Sequence, residues 1–357
     1  MSAPAKKIPV GVLGATGAVG QRMVSLLAEH PWFELTELAA SERSAGRPYA
    51  EAATWRLSSP LAASVASLPV RGLTPSDGPF RSTILFSALD ASVAGEVESR
   101  LAAAGHAVVS NSKNHRMSPD VPLVIPEVNH EHLGLIPAQR RRLGYSEGCI
   151  VTNPNCSSTG LTMALAPLHE RFGLVSVVAA TLQAVSGAGY PGLPSMDILD
   201  NVVPHIGGEE EKIETEPRKM LGRLVAGGGG IEEADITMTA MVHRVPVVDG
   251  HLVSALVTTR ERADPPAVLE AWRAWSRSRA LELPTAPREP LVYLEAPDRP
   301  QTRLDRDLGA GMTTTLGRLR TAPGGALRFV CLSHNTLRGA AGASVLNAEL
   351  LVREKYV

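Results

Sequence analysis

Cys156 stands where a polar loop gives way to a helix, a position that suits an activated thiol. The loop before it reads Asn153-Pro154-Asn155. The helix is indicated by apolar residues at i, i+4 and i+7, namely Leu161, Leu165 and Leu168. We expect the helix to begin just after Cys156, capped by a hydroxyl of Ser157, Ser158 or Thr159.

A helix N-terminus presents unpaired N–H groups and a partial positive charge, and both favour a thiolate over a thiol. Because the thiolate is the nucleophilic form, the position predicts that Cys156 carries out nucleophilic catalysis. A small cysteine buried beside a turn is the alternative. The spacing alone leaves both interpretations open.

A second set of reactive side chains surrounds an Asp249-Gly250 turn. This dipeptide between two β-rich runs predicts a hairpin. Strand alternation would then place Arg244 and His251 on one face, ~13 Å apart along the strand, the distance between the two ends of a small substrate. His251 titrates near neutrality and suits acid–base work, although a histidine beside a turn can equally be a surface residue. Pro246 indicates an edge strand or irregular pairing.

Charged residues open a predicted helix that ends near Leu221. Glu209 and Lys212 lie at i and i+3, so they share a helix face and could hold an amino group and an anion respectively. A solvated helix start is the alternative. The segment 111–116 follows a strand end and suits an oxyanion clamp, but a plain polar loop has the same composition.

The start of the chain has the pattern of a dinucleotide-binding unit. The apolar run Ile8–Leu13 predicts a buried strand, and a glycine-rich turn leads into a helix with Val19 and Met23 on one face. Such glycines permit a tight turn and let the backbone approach a pyrophosphate at the helix N-terminus. An ordinary strand-to-helix turn is the alternative.

The next strand, Phe33 to Ala40, ends in Ser41-Glu42-Arg43-Ser44. An arginine flanked by hydroxyl groups suits the 2′-phosphate of NADP, whereas an acidic residue here suits NAD. We favour NADP, with Glu42 leaving NAD open. Ser87 ends the predicted strand Ser82 to Ala88 and is small enough to let a cofactor approach.

Composition restricts the class of protein. The 357 residues suffice for two domains, and 44% hydrophobic and 20% charged residues are typical of a soluble globular protein. A net charge of −1 gives no electrostatic attraction to nucleic acid or an anionic membrane. Three cysteines without metal-ligand spacing predict a reducing compartment and no metal site. No apolar run approaches the ~18–20 residues of a membrane span, so we predict a cytoplasmic protein.

The order of elements predicts two architectures in one chain. Strands and helices alternate to about residue 150, and longer strands follow, such as Leu174 to Val185 and Leu252 to Thr259. We therefore predict an α/β protein: a Rossmann-like dinucleotide-binding domain and an α+β catalytic and dimerisation domain with a mixed sheet. The segment Pro137 to Gly148 reads as a basic surface loop, and Gly339 to Arg353 as a helix that packs back on the first domain.

Several motifs together resemble aspartate-semialdehyde dehydrogenase, in its archaeal and fungal branch. The resemblance runs from Val10 to about Val352. Its motifs are Gly14-x-Thr16-Gly17-x-Val19-Gly20, Ser41-x-Arg43-Ser44-Ala45-Gly46, Pro126-Glu127-Val128-Asn129, Asn153-Pro154-Asn155-Cys156-Ser157, Gln183-Ala184-Val185-Ser186-Gly187-Ala188-Gly189, Gly208-Glu209-Glu210-Glu211-Lys212 and Arg244-x6-His251.

The resemblance implies NADPH-dependent reduction of L-aspartyl 4-phosphate to L-aspartate 4-semialdehyde through a thioester on Cys156, on the way to lysine, threonine and methionine. It makes His251 the proton-transfer group and Gln183 the group that orients the acyl intermediate. It assigns the substrate to Arg244 (α-carboxylate), Glu209 (α-ammonium) and, for the phosphate, Arg116, Lys212 and Asn155. For NADP it implies Gly14, Thr16, Gly17, Ala18, Val19, Ser41, Arg43, Ser44, Ser87, Ser186, Gly187 and Asn335.

The resemblance also implies a homodimer or homotetramer that uses a small-molecule substrate and inorganic phosphate. We expect residues 1–155 and 335–357 to form the NADP domain and residues 156–334 the catalytic and dimerisation domain. A malonyl-CoA reductase is the main alternative, but its substrate lacks the amino group that Glu209 would bind. A catalytically silent NADP-binding protein is the other, and the joint presence of Cys156, His251, Arg244 and Gln183 argues against it.

Overall fold

Two six-stranded sheets organise the protein. The computed structural model describes residue 4, residues 6–279 and residues 281–357. The first sheet contains β1 (Ile8–Leu13), β2 (Phe33–Ala39), β3 (Val70–Arg71), β4 (Ile84–Ser87), β5 (Ala107–Ser110) and β6 (Cys149–Thr152). The second contains β7 (Leu174–Gln183), β10 (Thr237–Arg244), β11 (His251–Thr259), β12 (Leu291–Leu294), β13 (Thr314–Thr321) and β14 (Leu327–Ser333), and a small hairpin joins β8 (Arg223–Leu224) to β9 (Ile231–Glu232).

The helices lie between and against these sheets. They are α1 (Ala18–Leu27), α2 (Tyr49–Ala52), α3 (Ala63–Ala66), α4 (Ala91–Ala103), α5 (Pro126–Asn129), α6 (Ile136–Leu143), α7 (Cys156–Phe172), α8 (Ser195–Ile198), α9 (Glu209–Met220), α10 (Pro265–Ser278), α11 (Thr302–Asp305) and α12 (Gly342–Arg353). A π-helical turn, Leu337–Ala341, leads directly into α12.

The first sheet is parallel throughout, in the order β3-β2-β1-β4-β5-β6. Strands β4, β5 and β6 are short runs buried throughout, as a parallel sheet covered by helices requires, whereas β2 has exposed residues. The strand order reverses between β1 and β4, and ligands of such sheets bind outside the carboxyl ends of the strands at this point. The glycine-rich turn after β1 lies there, so the predicted Rossmann-like domain is confirmed.

The second sheet is mixed, in the order β10-β7-β11-β14-β13-β12. Strand β7 pairs in parallel with β10 on one side and antiparallel with β11 on the other. Apolar residues of α7 and α10 share one core with this sheet, with Trp272 fully buried against Phe329. The predicted mixed sheet is therefore confirmed.

The end of the chain returns to the first sheet, as predicted. Val345, Leu346 and Leu350 of α12 are buried in the core of the first sheet. The preceding π-helical turn is fixed by Arg338, which donates two hydrogen bonds to the Glu127 carboxylate at 2.8 and 2.6 Å. Both side chains are buried, so this ion pair holds the turn firmly in register with α5.

Two local predictions are wrong. The segment Pro137 to Gly148 contains helix α6 rather than being a loop throughout, and Arg140 donates to the carbonyls of Glu147, Gly148 and Tyr356 instead of being solvated. The Asp249-Gly250 turn does not join a hairpin, because β7 lies between β10 and β11. A turn motif specifies only the local bend, whereas strand pairing is decided by contacts distant in sequence.

Candidate active site

The end of β7 brings three polar side chains together. Arg244, the last residue of β10, is paired with Gln183, the last residue of β7. On the other side, the register Leu252↔Leu182 places His251 beside Gln183. Arg244 and His251 therefore approach each other across β7 and are not separated along one strand.

Gly187 occupies the space between these two side chains. A Cβ atom added to Gly187 would lie 2.8 Å from Nη1 of Arg244 and 3.1 Å from Nε2 of His251. Arg244 Nη1 also donates to the Ala184 carbonyl at 2.7 Å, which fixes the guanidinium over the same loop. The absence of a side chain at Gly187 therefore allows the arginine and the histidine to converge.

Helix α7 begins at Cys156, and its N-cap is Asn155. The Asn155 side-chain oxygen accepts from the backbone N–H groups of Ser157 and Ser158 at 2.9 and 3.2 Å. The predicted hydroxyl cap is wrong, since the helix begins earlier than expected and the cap is Asn155, two residues before Ser157. Gly339 packs against the cysteine, and a Cβ atom there would lie 2.5 Å from Cβ of Cys156.

Most of the predicted substrate residues line one cavity of about 660 Å³. They are Arg116, Asn155, Cys156, Gln183, Glu209, Lys212 and Arg244, joined by the predicted cofactor residues Val19, Ser186, Gly187 and Asn335. His251 lies behind Gly187 and is 1% exposed. The structure thus assembles side chains from distant parts of the sequence around Cys156.

Glu209 is the centre of a polar network in this cavity. Its carboxylate pairs with Lys212 and accepts from Asn155 Nδ2 at 3.1 and 2.8 Å and from Gln183 Nε2 at 3.4 Å. Burial acts to raise the pKa of Glu209, but the Lys212 ammonium and these hydrogen bonds outweigh it and hold the pKa below its ordinary value. The predicted common helix face of Glu209 and Lys212 is confirmed, and the two residues contact each other.

The expected stabilisation of a Cys156 thiolate is not found. Burial, followed by the negative charge of Glu209, raises the pKa of the Cys156 thiol to about 12, against the opposing effect of Arg116, Arg244 and Lys212. Loss of hydration therefore outweighs the effect of the three nearby cations, and the sequence gives no measure of that loss.

His251 is neutral at physiological pH. Burial, followed by the nearby Arg244 charge, lowers its pKa to about 3. Its Nδ1 accepts a hydrogen bond from the Ala184 N–H at 3.1 Å, so the single proton of the ring is on Nε2. His251 thus presents an N–H donor towards Gly187.

A second cavity, of about 610 Å³, lies along the glycine-rich turn. Gly14, Thr16, Gly17 and Ser41 line it, as predicted for cofactor residues. Gly14 has φ +74°, and a Cβ there would meet the Ala88 carbonyl at 2.6 Å, so only glycine fits. The two cavities share Leu89 and Asp90 in their walls, so they lie side by side at the switch point, and we refer to the two together as the cleft.

The remaining predicted cofactor residues surround this cleft without lining either cavity. Ser87 is buried at the end of β4, Ser44 is half-buried, and Arg43 is exposed on the turn after Ser41. Ala18 begins α1.

Asn335, in the wall of the first cavity, is held by two hydrogen bonds. Its Nδ2 donates to Ser186 at 2.9 Å, and its Oδ1 accepts from the Gly250 N–H at 2.8 Å.

Two residues beside the site escaped the sequence analysis. Glu216 accepts from Arg116 at 2.9 Å and from the Asn155 N–H at 2.6 Å. Its signal in the sequence was an acidic residue at i+7 from Glu209, on the same helix face. Gly339 had no comparable signal, because its contact with Cys156 joins two segments that are distant in sequence.

Known proteins and family models match this chain over nearly its whole length. Residues 9–136 match the family model "Semialdehyde dehydrogenase, NAD binding domain", and residues 165–338 match "Semialdehyde dehydrogenase, dimerisation domain". The aspartate-semialdehyde dehydrogenase of Methanothermobacter thermautotrophicus is 51% identical over 347 residues, 96% of this chain and 99% of that protein. The chain belongs to the aspartate-semialdehyde dehydrogenase family. The family member from Archaeoglobus fulgidus is 49% identical over 348 residues, 98% of this chain and 99% of its own.

A solved family structure has the same fold. The aspartate semialdehyde dehydrogenase of Candida albicans, determined with NADP, superposes with a TM-score of 0.89 at 40% identity and covers 99% of this chain and 100% of its own. The match to a dimerisation domain indicates that the protein is an oligomer. In the described parts of the chain, none of the helices combines the length and hydropathy of a membrane span.

The raised thiol pKa makes a prediction about alkylation. Because a thiol well below its pKa gains about tenfold thiolate per pH unit, the rate of iodoacetamide labelling at Cys156 should rise steadily from pH 6 to 9. Glu209→Gln removes a charge that raises the thiol pKa, so labelling at pH 8 should become faster. Glu211→Gln, an exposed position on the same helix, is the control. A labelling rate that levels off below pH 8 would contradict this account, and peptide mass spectrometry separates Cys156 from the buried Cys149 and Cys331.

Proposed function

We propose that this protein catalyses the NADPH-dependent reductive dephosphorylation of L-aspartyl 4-phosphate to L-aspartate 4-semialdehyde, in the pathway to lysine, threonine and methionine. The observation that carries the proposal is the single cavity around Cys156. It combines a nucleophile, amide side chains, two carboxylates and four cations, and it adjoins the second cavity along the glycine-rich turn. The names of the relatives agree with this assignment.

The substrate's amino-acid head fits the charges at one end of the cavity. Arg244 binds the α-carboxylate through its planar fork, whose orientation is fixed by the Ala184 carbonyl. Glu209 binds the α-ammonium, which takes the place that the Lys212 ammonium occupies in the present network. Lys212 is then free to join Arg116 and Asn155 at the phosphate.

Cys156 forms the covalent intermediate. Its sulfur attacks the acyl carbon, the bond to phosphate breaks, and the thiol proton leaves with the phosphate as hydrogen phosphate, so the step needs no net base. Gln183 orients the acyl group, and the neutral His251 supplies an N–H donor for the oxygen that develops charge. His251 therefore acts first as a donor and not as a base.

NADP would occupy this cleft. The residues that would hold it are those after β1 and β2 and, at the nicotinamide end, Ser186, Gly187 and Asn335, which lie beside Cys156. When bound, NADPH supplies the hydride that reduces the acyl thioester. Asn335 links Ser186 to Gly250 and so keeps that end of the cleft in a fixed position relative to His251.

The broader organisation follows from the same proposal. Residues 1–155 with 335–357 form the NADP domain and residues 156–334 the catalytic and dimerisation domain, in a cytoplasmic homodimer or homotetramer. A malonyl-CoA reductase remains the alternative substrate assignment. The position of Glu209 argues against it, since a malonyl substrate has no ammonium group to replace that of Lys212 at this carboxylate.

Steady-state kinetics should distinguish the two substrates. The wild-type protein should reduce NADP with aspartate semialdehyde and phosphate or arsenate, and should show no comparable activity with malonate semialdehyde and CoA. Glu209→Gln should lower kcat/KM for aspartate semialdehyde by about tenfold or more, because it removes the counter-charge to the ammonium. Arg244→Lys should lower the same kcat/KM at least about tenfold, because lysine keeps the charge but lacks the planar, bidentate guanidinium. Unchanged kcat/KM in Glu209→Gln would count against the aspartyl substrate.

Cofactor choice depends on Arg43 in this proposal. Arg43→Ala should weaken NADPH binding about 10- to 100-fold, the scale of a charge-assisted hydrogen bond, and leave NADH binding unchanged. Arg47→Ala is the control, since that guanidinium donates to the Glu51 carbonyl on the same loop. Fluorescence titration measures both cofactors. Equal weakening of NADPH and NADH would mean that Arg43 supports the loop and does not bind the 2′-phosphate.

A further inference from the structure

One face of α9 carries four charged residues of alternating sign. Glu209, Lys212, Glu216 and Lys219 lie at i, i+3, i+7 and i+10, so they follow one another along the helix. The first two line the cavity around Cys156, whereas Glu216 and Lys219 lie beyond its wall. Both of the deeper residues are buried, at 2% and 3% exposure. Buried charges of this kind require partners, and their partners are residues of the site.

Glu216 contacts both the arginine proposed to bind the phosphate and the backbone next to the nucleophile. Its Oε1 accepts from Arg116 Nη1 at 2.9 Å, and its Oε2 accepts from the Asn155 N–H at 2.6 Å. Asn155 immediately precedes Cys156 and caps its helix. A single planar carboxylate therefore spans the proposed phosphate-binding arginine and the backbone that carries the nucleophile.

Lys219 holds the backbone of the same segment. Its ammonium donates to the carbonyls of Arg116, Ser118 and Val121 at 2.6, 2.7 and 2.9 Å. Arg116 is thus fixed at its main chain by Lys219 and at its guanidinium by Glu216. Nη2 of Arg116 also donates to the Asn111 carbonyl at 2.7 Å, which fixes the plane of the guanidinium.

We propose that Glu216 is a positioning residue that sets the distance between Arg116 and Cys156, and hence between the bound phosphate and the nucleophile. The proposal rests on the proposed function, since it concerns the phosphate step of that reaction. Glu216 does not line the cavity and acts only through its two hydrogen-bond partners. Its loss should disturb the phosphate step more than binding of the amino-acid head or of NADP.

Two substitutions separate geometry from charge. Glu216→Gln keeps the size but has one acceptor oxygen, so its NH₂ group must face one of the two donors. Glu216→Asp keeps the charge but is one methylene shorter and cannot reach both donors. Glu211→Gln is the matched control, because it makes the same change at an exposed position of α9.

Initial rates of NADP reduction with aspartate semialdehyde, at varied phosphate, measure the effect. In Glu216→Gln we expect KM for phosphate to rise about tenfold or more and kcat to fall by up to about 10²-fold, the cost of a small misplacement of reacting groups. KM for aspartate semialdehyde and Kd for NADP should stay within about twofold. Glu216→Asp should show the same defect, and Glu211→Gln should match the wild type.

A double-mutant cycle tests whether Glu216 acts through Arg116. In an Arg116→Gln background, adding Glu216→Gln should raise KM for phosphate by a smaller factor than it does in the wild type, because only the hydrogen bond to the Asn155 N–H remains to be lost. Independent, multiplicative effects of the two substitutions would overturn the proposal. Equal increases in KM for phosphate and KM for aspartate semialdehyde would also overturn it, as would wild-type kinetics in Glu216→Asp. If Glu216→Gln yields no soluble protein, Glu216→Asp and the cycle built on it provide the same test. A wild-type protein without phosphate-dependent activity would instead overturn the proposed function.

Discussion

The site depends on the position of β7 between β10 and β11. This pairing places Gln183 between Arg244 and His251, which are seven residues apart in sequence but belong to strands on opposite sides of β7. The loop that follows β7 then passes between them at Gly187, where a Cβ has no room. Cys156 faces this group from the start of α7, packed against Gly339. This register places Gln183, Arg244 and His251 at the same end of three neighbouring strands.

The electrostatics of the cavity favour neutral reacting groups beside a fixed set of charges. The thiol of Cys156 and the imidazole of His251 are both neutral at physiological pH, since burial opposes their charged forms. The charged side chains that line the cavity are the carboxylates of Asp90 and Glu209 and the cations of Lys113, Arg116, Lys212 and Arg244. An anionic substrate with an ammonium group complements that set. The helix N-terminus and the cations therefore stabilise negative charge that develops during the reaction, and not a thiolate in the free enzyme.

The sequence predicts local features well and long-range ones poorly. Strand β1, the glycine-rich turn and α1 follow from residues adjacent in the chain, and β1 has the predicted bounds. The Asp249-Gly250 hairpin was wrong because β7, more than 60 residues upstream, lies between the two strands. The thiol pKa was wrong because burial at Cys156 depends on residues around 339. The sequence analysis missed Glu216 because its partners, Arg116 and Asn155, come from two other segments of the chain.

The convergence of Arg244 and His251 at Gly187 is the central claim, and a single methyl group tests it most directly. Gly187→Ala should lower kcat/KM for aspartate semialdehyde on the order of 10²-fold, because the Cβ displaces the arginine and the histidine from their shared position. The melting temperature should stay close to that of the wild type. Gly229→Ala, where an added Cβ meets nothing within 4 Å, should leave kcat/KM unchanged. A Gly187→Ala enzyme with wild-type kcat/KM would show that the two side chains need not converge there, and would contradict the account.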